Sequence, residues 1–187
     1  MPNVEQSVVF TEDAAAALNH ALRTLEPDRV FVLADVTTQN LCLPRLRQGG
    51  VLPAADPIVI GATDTHKNLE SLTHVWTALQ QGGASRSSCL VCVAAEWSPI
   101  SRYGRRHFQA GYPLYQSAYT LLSMVDAAVG GKTGINFGGL KNEIGVFRQP
   151  TAVIIDTGFL RTLDEADLRS GYGEMLKHGL IDSEAAC

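Results

Sequence analysis

Three short apolar runs separated by helix-like segments most constrain what this 187-residue chain can fold into. The runs are Arg29–Ala34, Pro57–Ile60 and Cys89–Val93. The segment before the third run carries apolar residues spaced as on one face of a helix: Leu69, Leu72, Val75, Trp76 and Leu79. Apolar runs of this length are typical of strands buried on both faces, and short strand–helix–strand connections favour a parallel sheet. We therefore expect an α/β fold whose parallel sheet is covered by helices on both faces.

The flanking segments extend this pattern at both ends of the chain. Val8–Phe10 predicts a short strand, with Thr11 as the N-cap of the following helix. Thr151–Asp156 predicts another buried strand, and Asp164–His178 predicts a helix with acidic residues near its start. We expect residues 1–163 to form a Rossmann-like nucleotide-binding domain and residues 164–187 to begin a second, helical domain.

Asp35 directly follows the first of these apolar runs, Arg29–Ala34. A carboxylate at the carboxyl end of a parallel strand is where nucleotide-binding folds place a contact to a ribose. A carboxylate there also commonly caps a turn. The residues alone leave both interpretations open.

The stretch Ser123–Gly145 combines many glycines with lysine, asparagine and aspartate side chains. Glycine permits close approach of the backbone to a ligand, and lysine is a compact cation suited to phosphate. The pattern indicates a loop-rich anion site, with a solvated loop as the alternative. A P-loop is excluded, because Asp126 stands where its first glycine would be and would repel a triphosphate.

Charge and cysteine content exclude several classes of function. The net charge of -4 and pI near 5.7 argue against nucleic acid or an anionic membrane as a partner. The N-terminus lacks the pattern of a secretory signal, so we expect a cytoplasmic protein. Cys89 and Cys92 have redox or zinc spacing, but in a strand their thiols would point to opposite faces, so we expect buried structural cysteines.

Five blocks in order along the chain resemble the 3-dehydroquinate synthase family of sugar-phosphate cyclases. They are Thr120-Leu-Leu-Ser-Met-Val-Asp126, Gly-Gly-Lys-Thr133, Leu140-Lys-Asn-Glu-Ile-Gly145, Ala152-Val-Ile-Ile-Asp-Thr157 and Gly171-Tyr-Gly-Glu-Met-Leu-Lys-His-Gly-Leu-Ile181. Related cyclases share much of this pattern, so the family is better defined than the substrate.

The resemblance implies conversion of a phosphorylated sugar acid, 3-deoxy-arabino-heptulosonate 7-phosphate, to 3-dehydroquinate with loss of phosphate, in the shikimate route of aromatic amino acid biosynthesis. It implies NAD as a hydride carrier that is regenerated within the cycle, and zinc or cobalt as a Lewis acid. A homodimer is compatible with the residues but is not indicated by them.

By motif position, the resemblance also implies roles for individual residues. Residues expected to contact substrate are Asp126, Lys132, Lys141, Asn142 and Lys177. Those expected to line NAD are Asp35, Asp64, Lys67, Thr120, Lys132, Lys141, Phe159 and Thr162. Glu174 is expected to bind the metal. Without the resemblance, Glu174 and Lys177, spaced i and i+3 on one helix face, would indicate a surface ion pair.

Residues 94–119 depart from the family pattern. Ala94-Ala-Glu-Trp-Ser-Pro99 stands where the family has a glycine turn whose backbone amides meet the cofactor pyrophosphate. If codons for this segment are chosen freely among the synonymous ones and the reading frame is shifted, the translation resembles the family. One hypothesis is therefore that a few single-base losses put the segment out of frame and together restore the frame at Thr120. The alternative is a genuine solvated loop. Either way, we expect weak NAD binding and loss of regular structure over Ala94–Tyr119.

The chain is also expected to be an incomplete, truncated enzyme. Catalytic zinc needs about three protein ligands, and the resemblance supplies one, Glu174. His178 is expected to lie one helical step off the Glu174 face and to be a poor substitute. We therefore expect no cyclase turnover from this polypeptide alone. The alternatives are a related sugar-phosphate cyclase, a glycerol-dehydrogenase-like oxidoreductase, or a non-catalytic fragment.

Overall fold

A six-stranded parallel sheet organises the chain. The computed structural model describes residues 7–50, 52–93, 113–129, 131–147 and 149–182, and the side chain of Lys132 lies outside that description. The sheet strands are β1 (Ser7–Thr11), β2 (Val30–Asp35), β3 (Ile58–Ile60), β4 (Cys89–Val93), β5 (Leu114–Ala118) and β8 (Ala152–Asp156). They lie in the order β1-β8-β5-β4-β2-β3, with every pairing parallel. The predicted Rossmann-like α/β fold is confirmed.

Helices and short helical turns connect the strands. The helices are α1 (Ala14–Leu25), α2 (Thr38–Leu41), α3 (Leu43–Arg47), α4 (Leu69–Gln81) and α5 (Glu165–Asp182), with 3-10 turns at Asp64–His66 and Thr157–Thr162. The predicted N-cap of α1 is wrong by two residues. Asp13, not Thr11, caps the helix, because its Oδ1 accepts from the Ala16 amide at 2.9 Å. Thr11 Oγ1 instead accepts from the Asp13 amide at 3.0 Å.

Apolar side chains cover both faces of the sheet. On one face Leu18 and Leu22 of α1 pack with Leu43 and Leu46 of α3. On the other face lie Leu72, Val75 and Leu79 of α4. Each fully buried side chain of this size contributes about 1.5–3 kcal/mol through burial, so α1, α3 and α4 are held mainly by their apolar stripes. Among the described residues, no helix combines the length and apolar character needed to span a bilayer.

Strand β4 confirms the prediction for its cysteines. Cys89 belongs to the apolar cluster on one face and Cys92 to the cluster on the other. Both thiols are buried, and neither forms a disulfide. They therefore act as small apolar side chains of the core.

The glycine-rich stretch is largely an antiparallel hairpin, so the prediction of loop structure there is wrong. A short π-helical turn covers Ser123–Ala127, and β6 (Lys132–Phe137) pairs with β7 (Leu140–Phe147). Gly138 and Gly139 connect the strands with φ of 59° and 82°. Positive φ at both central residues is typical of the tight turns that join hairpins, and glycine adopts it without strain. The glycines thus end strands as much as they open a ligand site.

The expected loss of order over Ala94–Tyr119 is wrong for Leu114–Ala118, which form β5. All five residues of β5 are buried, and the strand pairs with β4 on one side and β8 on the other. Ladder hydrogen bonds and burial override the weak strand pattern of this segment. Residues 94–112 lie outside the described residues, so the frame hypothesis for them stays a prediction.

Helix α5 lies where the sequence predicts a helix, and runs further. Asp164 Oδ1 accepts from the Asp167 amide at 2.8 Å and so caps its start. At Gly171 the helix meets the chain before the π-helical turn so closely that an added Cβ would lie 2.5 Å from the Leu121 Cβ. This approach brings the next turn of α5 against Asp126.

Candidate functional site

A cavity opens at the carboxyl edge of the sheet. In the sheet, β3 lies on one side of β2 and β4 lies on the other, so the strand order reverses direction at β2. Sheets of α/β proteins bind ligands at such a reversal. The cavity has a volume of about 440 Å³. Its walls include five of the predicted site residues: Asp35, Lys67, Thr120, Asp126 and Thr162. Residues more than a hundred positions apart in sequence therefore meet in one place.

Asp35, at the end of β2, is almost fully buried at 1 % exposure. Its Oδ1 accepts from the amides of Thr37 and Thr38, both at 2.8 Å. Its Oδ2 accepts from the hydroxyl of Tyr119 at 3.0 Å. The side chain thus caps the turn after β2, as one of the two interpretations held, and it also lines the cavity.

Two lysines of the site are bonded to residues of the neighbouring segment. Lys67, which is 8 % exposed, donates from Nζ to Asn142 Oδ1 at 2.5 Å. Lys141 Nζ lies 3.0 Å from Asp64 Oδ2. The hydrogen bond from Lys141, aided by one from Asn136, holds the pKa of the Asp64 carboxyl below its ordinary value, against the raising effect of burial. These bonds join the 3-10 turn at Asp64–His66 to the hairpin.

Asn136, which has no role in the sequence-based prediction, makes four hydrogen bonds, three to Asp64 and Lys67 across this connection and one within the hairpin. Its amide donates to Lys67 O at 2.7 Å, and its Nδ2 donates to Asp64 O at 3.0 Å and Oδ2 at 3.2 Å. Its Oδ1 accepts from the Asn142 amide at 3.0 Å. Asn142 has a φ of 55°, a conformation that asparagine tolerates better than most residues. No local pattern signals this role, because its partners Asp64 and Lys67 are distant in sequence.

Three side chains of types that can bind metals meet beside the cavity: Asp126, Glu174 and His178, with one donor atom of each within 4.8 Å of the others. Glu174 Oε1 lies 3.2 Å from His178 Nε2, which lies 4.0 Å from Asp126 Oδ1. The prediction that His178 is off the Glu174 face is therefore wrong. Residues i and i+4 on a helix are neighbours, and Glu174 and His178 have that spacing.

The geometry of this cluster fits zinc. Zinc takes nitrogen and oxygen ligands at about 2.0–2.2 Å in tetrahedral sites, which separates neighbouring ligand atoms by roughly 3.3 Å. Glu174 and His178 are close to that separation at 3.2 Å, whereas Asp126 Oδ1 is 4.0 Å from His178 Nε2 and would have to move closer to share an ion with them. The expectation of a single ligand in this chain thus understates the donors that the fold brings together.

Lys177 also contacts Glu174, as the i, i+3 spacing predicts. The hydrogen bond from Lys177 lowers the pKa of the Glu174 carboxyl, and the same bond raises the pKa of Lys177. Because the ammonium shares an oxygen with the cluster, a metal ion bound there would displace it. Lys177 would then be free to meet an anionic ligand.

The remaining predicted residues are less directly placed. Phe159 is 1 % exposed in the core, with the Arg45 guanidinium 5.1 Å from its ring centroid, so the structure places it behind the cavity wall and not in the cavity. Thr162 donates from its hydroxyl to Phe159 O at 2.7 Å. The backbone of Lys132 begins β6.

Cys42 is a cavity residue that the sequence analysis did not single out. Burial, reinforced by the nearby charge of Asp35, raises the pKa of its thiol to about 12. It is a neutral, unreactive wall of the cavity at ordinary pH.

Comparison with known proteins finds relatives that match most of this chain. The family described as 3-dehydroquinate synthase N-terminal matches residues 57–170. A 3-dehydroquinate synthase of Parabacteroides distasonis is 43% identical over 180 residues, which is 96% of this chain and 51% of the relative. The chain therefore spans about half the length of the curated relatives it matches.

Solved structures of cyclases share the fold. A 2-epi-5-epi-valiolone synthase from Streptomyces hygroscopicus subsp. jinggangensis 5008, solved with NAD+ and Zn2+ bound, is 28% identical with a TM-score of 0.83 over 95% of this chain and 50% of that chain. A 2-deoxy-scyllo-inosose synthase, 20% identical, has a TM-score of 0.84 over 93% of this chain and 50% of its own, which shows the common fold. Taken with the family match over residues 57–170, these findings establish that the chain belongs to the 3-dehydroquinate synthase family.

Proposed function

We propose that this chain provides the NAD-binding part and one side of the metal and substrate site of an enzyme that converts 3-deoxy-arabino-heptulosonate 7-phosphate to 3-dehydroquinate with elimination of phosphate. The observation that carries the proposal is the meeting of five predicted ligand-binding residues in one cavity, beside a three-donor cluster. The valiolone synthase that shares the fold was solved with NAD+ and Zn2+ bound, which supports the same two cofactors here.

The proposal gives each group of residues a role. The residues proposed to line NAD are Asp35, Asp64, Lys67, Thr120, Phe159 and Thr162, with Lys132 and Lys141 reaching both cofactor and substrate. Those proposed to bind the substrate's hydroxyls and acidic groups also include Asp126, Asn142 and Lys177. Glu174 is the proposed metal ligand, with His178 and Asp126 as the neighbouring donors.

The chain's own side chains prepare the site for an anionic substrate. When bound, NAD would carry a hydride from and back to a secondary alcohol, and zinc would polarise that alcohol. Lys177, held by Glu174 at the mouth of the cluster, offers an ammonium to a phosphate or carboxylate. Asp126 is exposed and can accept a hydrogen bond from a substrate hydroxyl. Lys67 is buried and bonded to Asn142, so it couples the cofactor side to the hairpin.

The coarser organisation follows the same proposal. Residues 1–163 form the NAD-binding domain and residues 164–187 begin the helical domain. The buried cysteines at positions 42, 89 and 92 are thiols outside any disulfide, which suits a reducing compartment and supports a cytoplasmic location. Light scattering of the purified protein tests whether the chain forms a homodimer.

Zinc binding by the purified 187-residue chain tests the metal assignment. We expect competition with a chromophoric chelator to detect one zinc ion per chain, with an affinity at least tenfold lower in Glu174→Ala, because one of three ligands is lost. Glu165→Ala is the matched control, since Glu165 lies on the same helix but pairs with Arg169 at its exposed start. Equal zinc affinity in all three proteins would remove Glu174 from the site.

Turnover is a separate measurement. We expect no zinc-dependent phosphate release by this polypeptide alone, and Glu174→Ala should match the parent. Release that Glu174→Ala abolishes would show that this part of the enzyme is sufficient. A related cyclase is the second candidate, favoured by the fold shared with the valiolone synthase. Competition between the heptulosonate phosphate and other sugar phosphates for binding to this chain separates the two.

A further inference from the structure

The carboxylate best placed to bind a dinucleotide's ribose is already occupied by the protein itself. Asp35 Oδ1 accepts from two backbone amides of the following turn, and Oδ2 accepts from the Tyr119 hydroxyl at 3.0 Å. The exposed fractions are 1 % for Asp35 and 9 % for Tyr119. Both residues line the cavity, and the phenol holds the carboxylate oxygen that the backbone amides leave unbonded.

We infer that Tyr119 competes with the ribose hydroxyls of a dinucleotide for Asp35 and so weakens dinucleotide binding in this chain. The inference rests on the proposed NAD-binding function. A ribose diol binds a strand-end carboxylate by donating to its oxygens, and the phenol donates to Oδ2, the oxygen that the amides of Thr37 and Thr38 do not bond. Because Asp35 is only 1 % exposed, a ribose hydroxyl can reach Oδ2 only when the phenol moves away from it.

The position of Asp35 does not depend on Tyr119. The amides of Thr37 and Thr38 hold Oδ1, and the Thr38 hydroxyl accepts from the Asp35 amide at 3.0 Å. Removing the phenol should leave the carboxylate in place with an unsatisfied Oδ2. A buried charged acceptor in that state gains most from a new donor, which a ribose hydroxyl supplies.

Calorimetry with two ligands and matched variants tests the competition. The ligands are NAD+ and its analogue with a 2′,3′-dideoxyribose on the adenosine side. We expect the unaltered chain to bind both with equal, weak affinity, because Asp35 is occupied. Tyr119→Phe and Tyr119→Ala should bind NAD+ about tenfold more tightly, the value of one hydrogen bond to a charged group, and should prefer it to the analogue by the same factor.

Tyr115→Phe is the control, since Tyr115 lies on the same buried part of the chain but packs in the core. It should bind both ligands as the unaltered chain does. Measurable and equal NAD+ binding by all four proteins would overturn the inference and leave the cofactor assignment intact. A tenfold preference of the unaltered chain for NAD+ over the analogue would also overturn it, without use of any variant. No NAD+ binding by any of the four would contradict both the inference and the proposed function.

Discussion

Replacing Asn136 with alanine should loosen the hairpin where it meets the cofactor side of the site. The change removes three side-chain hydrogen bonds, two to Asp64 and one from the Asn142 amide. Each is worth about 0.5–1.5 kcal/mol net, and partial exposure places them toward the low end, so we expect a loss of about 2 kcal/mol locally. That corresponds to roughly thirtyfold less protection of the Asn142 amide from hydrogen exchange.

Amide exchange followed by NMR measures this loss residue by residue. Asn40→Ala is the control, because Asn40 is an exposed asparagine that donates to Val36 O at 3.2 Å, away from the hairpin. Asn136→Asp should loosen the hairpin further, since it sets a second carboxylate against Asp64. In Asn136→Ala the pKa of Asp64 should also rise toward its ordinary value, because one of the bonds that lower it is gone. If protection of the Asn142 amide changes less than threefold, the cross-link does not hold the hairpin.

Three further predictions concern single positions. Asp156→Ala should lower the free energy of unfolding in urea by about 3–5 kcal/mol. The change removes a buried carboxylate that accepts hydrogen bonds from three donors, one of them an arginine. A loss below about 1 kcal/mol would contradict this. Gly145→Ala should abolish the protection of the hairpin amides from hydrogen exchange, because the added Cβ would lie 1.9 Å from Thr133 O. Gly173→Ala should instead stabilise α5 by about 0.5–1 kcal/mol, because its added Cβ would have no atom within 4 Å. Cys42 should resist alkylation by iodoacetamide up to about its pKa of 12. The free energy of unfolding should fall as pH rises toward that value, because the thiol ionises at a lower pH in the unfolded chain than in the folded one. Rapid alkylation of the folded chain at about pH 8, near the ordinary pKa of a thiol, would refute the burial argument.

Sequence patterns predicted best where a segment is buried on both faces. The runs that became β2, β4 and β8 are apolar except for the aspartates that end β2 and β8, as is typical of buried parallel strands. Strand β5 was missed because its centre is polar. Gln116 and Ser117 are 0 % and 2 % exposed, and no local pattern predicts that such residues lie in the middle of a sheet.

The candidate site was predicted residue by residue, but its connections were not. The position of Asp126 against α5 depends on the close approach at Gly171, and the roles of Asn136 depend on partners more than sixty positions away. Contacts of this kind follow from tertiary packing, not from spacing along the chain. The placement of His178 needed only helix geometry, since i and i+4 share a face, and was misjudged.

The place of β1 at the edge of the sheet has a consequence for how the protein is made. Its partner is β8, with Ser7 beside Ala152, and the start of α1 is tied to Asp156 across 142 positions. A ribosome adds about 5–20 residues per second, so the first strand emerges on the order of ten seconds before its partner exists. During that time its apolar residues Val8, Val9 and Phe10 have no sheet to join. Strand β1 therefore cannot make its native pairing until β8 has been synthesised, and its docking at the sheet edge is a late step of folding.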